Sequence, residues 1–201
     1  VSEAALGSVL GAHGAFYLFR GSLFRPLAPD TINDDFILPM EIVAQGFRAA
    51  YEARVNALEL EQANDTMDHL RRRRIAAGNL QQLLRLKRML LPRYGSVAFI
   101  FASGKGLRVL MPFLMIITLV GSLALSSDHT LFAILAAAQL FAYILAGWHI
   151  ILKPSRGNRL GRTLAYLVNG HLAGLAGSLN YTLGLEKGHW KRVNNTVPNS
   201  D

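Results

Sequence analysis

The sequence predicts two unlike parts: an α/β fragment, followed by an α-helical membrane region. Three observations predict it. Residues 1–68 alternate short aromatic-rich stretches with a helical pattern and hold most of the acids. Two long runs further along are almost free of charge. Between His69 and Glu186 the only acid is Asp128, while that stretch carries fourteen of the 21 Lys and Arg.

In the first part, "GAFYLFR" (Gly14 to Arg20) has the aromatic and apolar content of a buried strand. "SLFRPLAPDT" reads as a turn punctuated by Pro26 and Pro29. Phe36, Met40 and Val43 follow helical spacing over Phe36 to Gln45, and Gly46 ends that helix. Pro39 fits only the first helical turn, which sets the start near Asp35. "FRAAYEA" (Phe47 to Ala53) reads as another short strand.

Residues 69–104 read as a basic interfacial region. Asp65 is the expected N-cap of a helix from Thr66 to about Leu91, with Asp68 favourable to its dipole. Leu80, Leu83, Leu84, Met89 and Leu90 sample an apolar stripe beside Arg85, Lys87 and Arg88, as on a helix lying on a membrane surface.

Residues 105–185 form the membrane region. "LRVLMPFLMIITLVGSLAL" (107–125) has one charge, Arg108, at its edge, and "TLFAILAAAQLFAYILAGWHIIL" (130–152) has none. Each approaches the roughly 20 apolar residues that cross a bilayer core. Joined by the polar turn "SSDH", they predict a membrane hairpin. Arg85, Lys87, Arg88, Arg93, Lys105 and Arg108 precede it, Lys153, Arg156, Arg159 and Arg162 follow it, and the turn has no cation. Both ends are therefore expected on the cytoplasmic side. A third apolar helix, 163–183, contains Asn169, His171 and Asn180 and is expected at the interface or against the hairpin. Residues 186–201 read as a polar tail.

Composition excludes several classes. There is no Cys, so disulfides and Cys-based zinc sites are out. The six His residues lack metal-ligand spacing, and "ASGKG" lacks the glycine spacing and the Ser or Thr of a phosphate loop. A net charge of +8 suits nucleic acid or an anionic membrane. Because the cations border the apolar runs, membrane lipid is the expected partner and nucleic acid is not.

Two adjacent carboxylates, Asp34 and Asp35, interrupt an apolar stretch. Alone, the pair reads first as a helix cap. Its setting changes that. In order, "GAHGAFYLFRGSLFRPL", "INDDF", "GFRAAYEA", "RRRRIAAGN", "FASGKGLRVLMP" and the closing "VNGHLAGLAGSLNYTLGLEKGHWKRV" resemble the C-terminal part of membrane-bound family-2 glycosyltransferases. That group includes the cellulose, hyaluronan and poly-N-acetylglucosamine synthases. The resemblance covers nearly the whole chain, which begins Val-Ser-Glu and reads as a piece of a longer protein.

The resemblance implies that residues 1–68 are the acceptor half of a GT-A domain. It implies inverting transfer from a nucleotide sugar to a glycan or lipid acceptor at the cytoplasmic face of the bacterial inner membrane. "NDD" stands where the family has Thr-Glu-Asp, which matches Asp35 to the general base and Asp34 to the acid before it. A hydroxyl is a poor nucleophile until a carboxylate takes its proton, and a second carboxylate strengthens the first as a base. "RRRRI" stands where the family has Gln-x-x-Arg-Trp, with Arg71 at the Gln, Arg74 at the Arg and Ile75 at the Trp. Arg74 would meet the leaving diphosphate. Gly14 and Ala15 match the close-approach segment near the acceptor. Lys105 and Arg108 read as interfacial anchors. A divalent metal, Mg or Mn, belongs by the same analogy to an upstream donor half, with none held by these residues. The rival expectation is a noncatalytic membrane adaptor that binds anionic lipid or partner helices.

Overall fold

The computed structural model describes residues 7–52, 54–55, 65–152 and 158–186, and side chains in the helix that starts at Asp65 from Arg71 onward. Every long regular element among them is helical: α1 (Asp34–Ala44), α2 (Asp65–Arg85), α3 (Ser96–Phe101), α4 (Leu107–Ala124), α5 (Thr130–Leu152) and α6 (Arg159–Thr182). A π-turn, Ala102–Gly106, joins α3 to α4 without a break. The side chains of Asp65, the expected N-cap, and Asp68, the expected dipole partner, lie outside the described residues, as do the cations Lys153 and Arg156 and the tail beyond Glu186.

The α/β expectation is overturned, because the described residues contain no strand and no sheet. Residues 16–20 run without regular structure, with Leu18 84% exposed. The stretch expected as a strand from Phe47 has one backbone hydrogen bond to the opposite segment, Val9 N–H to the Ala49 carbonyl at 3.1 Å, backed by Ala49 N–H donating to Ser8 Oγ at 3.0 Å. Strand propensity measures fit beside a neighbouring strand, and neither segment has one here.

α1 starts at Asp34, with Asn33 at the N-cap position. Both carboxylates therefore sit in the first turn, where the helix dipole favours them, and neither is the cap. Gly46 adopts φ +97° just past the end, and its N–H reaches the Val43 carbonyl at 2.9 Å. Phe36, Ile37, Met40 and Val43 of α1 pack with Leu86, Met89 and Phe101 into the core. Phe36 and Phe101 stack at 6.3 Å between ring centroids.

α2 buries a face unlike the expected leucine stripe. Ala76, Ala77, Asn79, Gln81 and Gln82 are buried, while Leu84 is half exposed. Small residues let α6 come close: a Cβ on Gly177 would collide with the Arg73 carbonyl and with Ala76 and Ala77. α6 starts at Asn158, whose Oδ1 accepts from Gly161 N–H at 2.7 Å. It ends with Gly184 at φ +68°, where Leu185 N–H donates to the Asn180 carbonyl and Gly184 N–H to that of Tyr181. Between those ends Gly161 meets His149 of α5, and a Cβ added to Gly174 would lie 3.9 Å from Pro112 of α4. α6 thus braces the end of the hairpin away from its turn and carries α2 on its other contacts.

Ser96–Ala124 and Thr130–Leu152 are each long and apolar enough to cross a membrane, and α6 is not. Little of either span is covered by protein: Ile117 is 64% exposed and Ile144 70%. Such faces in water would be costly, so we read the pair as membrane-associated. Gln139, inside α5, donates from Nε2 to the Met115 carbonyl of α4 at 2.8 Å and thereby fixes the hairpin register.

Candidate functional site

The sequence placed Pro39 in the first turn of α1, but it stands in the second. It has no N–H to give the carbonyl one turn back, that of Asp35. Ala12 supplies the missing donor, its N–H reaching the Asp35 carbonyl at 2.9 Å. Gly11, at φ +78°, lies against the Phe36 ring and donates its N–H to Met40 Sδ at 3.2 Å. A Cβ on Gly14 would stand 3.0 Å from Asp35 Oδ2. The proline thus opens a docking point in the helix, and residues 11–14 bring small backbone to the carboxylate.

Asp35 is half-buried and Asp34 exposed. Among the described residues neither forms an ion pair. Burial, then the neighbouring Asp34, pushes the Asp35 carboxyl above the usual carboxylate range, while Lys105, the Phe36 N–H and His13 pull the other way. The Tyr17 phenol is raised by burial and, to a smaller extent, by Asp34 and Asp35.

Asp35 lines a cavity of about 180 Å³ with Leu10, Ala12, Asn33, Ile75, Asn79, Gln82 and Lys105. Three of these are buried amides, from α2 and the Asn33 turn. Gln82 Oε1 has no hydrogen-bond partner among the described residues. A larger groove, about 420 Å³, lies between residues 23–31 and α1. Two of its charged groups pair with neighbours, Arg85 with Asp30 at 2.6 Å and Glu41 with Arg88. It holds neither member of the carboxylate pair.

The structure sets Gly14 against Asp35, and Arg74 is within electrostatic reach of Asp34 and Asp35. Arg74 is partly buried, which lowers its proton affinity, while Glu186, Asp34 and Asp35 raise it, and Arg71 opposes them. Arg71 is exposed, and Ala15 is exposed and off the cavity wall. Ile75 is on that wall. Arg72 is elsewhere, its guanidinium 5.6 Å over the Tyr166 ring of α6.

Sequence reasoning missed Asn79, Gln82, Tyr17 and Lys105. The i, i+4, i+7 spacing of Ile75, Asn79 and Gln82 was the available signal, since it puts all three on one helical face. Lys105 was read as a membrane anchor, but it sits 4.1 Å above the Phe36 ring on the cavity wall. Among the described residues no three His, Asp or Glu side chains converge as a cation site.

The chain matches no family model, no curated protein and no solved structure.

Proposed function

We propose that the chain carries the acceptor side of a membrane glycosyltransferase and that Asp35 is its general base. One observation carries this: a half-buried carboxylate, in no ion pair among the described residues, opens on a polar cavity beside membrane helices. In the step proposed, the acceptor oxygen bonds the anomeric carbon while its proton passes to Asp35. The bond from that carbon to the diphosphate breaks on the opposite face, and the nucleoside diphosphate leaves. Arg74, within electrostatic reach of the pair, would meet the leaving charge, which a planar fork of donors suits. The site would face the cytoplasm at the bacterial inner membrane, with the nucleotide sugar and any divalent metal bound by an upstream donor half.

The adaptor alternative needs cations turned to lipid. Arg72 covers Tyr166, Arg85 pairs with Asp30 and Arg88 with Glu41, while Arg71 and Arg73 are exposed.

The test uses membranes containing the protein in its full coding context, supplied with a panel of nucleoside-diphosphate sugars. Nucleoside diphosphate release should fall at least about 100-fold in Asp35→Asn. Equal release from both proteins would remove Asp35 as the base.

A further inference from the structure

We propose that Lys105 is the positioning residue of Asp35: the π-turn delivers its ammonium onto the wall of the cavity that Asp35 also lines, where its charge favours the Asp35 carboxylate across the cavity. Three observations of geometry carry this. Lys105 and Asp35 line the same small cavity. The Lys105 Nζ lies 4.1 Å above the ring of Phe36, the residue after Asp35, so its stem and charge are fixed against that turn of α1. Residues Ala102–Gly106 form a π-turn between α3 and α4, and such turns re-aim a side chain without breaking the helix. Glycines flank Lys105 on both sides, and Gly106 is buried, an added Cβ there lying 3.8 Å from Leu83 of α2.

The groups facing Asp35 come from every element packed around it. Asp34 stands beside it on α1, His13 on the docked segment, Lys105 on the π-turn, and Arg74 of α2 and Tyr17 within electrostatic reach. Burial and Asp34 favour the protonated acid; Lys105, ahead of His13, favours the carboxylate. A proton acceptor must be ionised before the reaction, so Lys105, set against burial and Asp34, lowers the pH above which Asp35 can serve. The catalytic sense of this role rests on the reading above, but the electrostatic link does not.

The test therefore has two readouts. The full-length protein in detergent, labelled with ¹³Cγ-aspartate, is titrated, and the Asp35 signal is assigned by its loss in Asp35→Asn. Lys105→Met should raise the Asp35 midpoint by about one pH unit, Lys105→Arg should leave it near wild type, and Asp34→Asn should lower it. Loosened packing alone would not move the midpoint in opposite directions. Because the chain has no native Cys, Lys105→Cys followed by aminoethylation restores the ammonium. It should restore the midpoint, and it covers the case where Lys105→Met fails to fold. An unmoved midpoint, or no recovery on aminoethylation, overturns the proposal. In the membrane assay the acid limb of nucleotide release should follow the midpoint. If the midpoint moves while the limb does not, Lys105 still favours the Asp35 carboxylate, and Asp35 is not the base.

Discussion

A Cβ on Gly78 would occupy the space taken by the side-chain amide of Asn33. This contact seats the turn before Asp34 and Asp35 on α2, and Asn33 Nδ2 donates to the Ile75 carbonyl at 3.4 Å in the same place. The carboxylate pair is therefore positioned by a residue more than forty places away in the chain. Gly78→Ala should lower stability in a thermal melt of the solubilised protein. Overpacking costs about 1–3 kcal/mol, against at most about 1 kcal/mol gained from alanine's helix propensity. Gly170→Ala is the control: nothing lies within 4 Å of its added Cβ, so propensity alone acts and the melt should rise.

Gln81 does the work of a missing strand neighbour. It is 1% exposed, its Oε1 accepts from Ile32 N–H at 2.9 Å, and its Nε2 donates to the Asp30 carbonyl at 2.8 Å. Gln81→Leu keeps the volume and strands the buried Ile32 donor. We expect a loss of about 1–3 kcal/mol in denaturant unfolding. Gln81→Glu should cost at least as much near neutral pH: it keeps an acceptor for Ile32 but buries an ionised carboxylate whose second oxygen faces the Asp30 carbonyl.

Asp35→Asn should raise stability while it abolishes transfer. Burial and Asp34 lift the carboxyl, so folding favours its protonated form. The sign follows: the folded state binds more protons than the unfolded one, and stability falls as pH rises from the ordinary carboxylate range through the raised value. Melts of wild type and Asp35→Asn should diverge across that window, with the variant flatter. A wild type that gained stability there relative to the variant would reverse the assignment.

The absence of native Cys makes topology directly measurable. Ser127→Cys lies in the turn between α4 and α5, and Ser96→Cys at the start of α3. With both hairpin ends cytoplasmic, a membrane-impermeant maleimide should label Ser127→Cys in intact cells. It should label Ser96→Cys only after permeabilisation. Labelling of both from one side would exclude the crossing hairpin.

The sequence by itself determined what depends on neighbours along the chain. The two apolar helices follow from runs of bilayer length, their polar turn from "SSDH", and the end of α1 from Gly46. The carboxylate pair was visible because two adjacent acids in an apolar run need a reason. Tertiary structure decided the rest. "GAFYLFR" has strand composition, but a strand exists only with a partner, and none is beside it among the described residues. The buried face of α2 is made of Ala76, Ala77, Asn79, Gln81 and Gln82 because the close approach of α6 requires small residues and the backbone at Asp30 and Ile32 satisfies the Gln81 amide. Lys105 reached the cavity through a π-turn, whose extra residue no periodicity reveals. Composition sets which segments leave water; only packing sets which side chains then face one another.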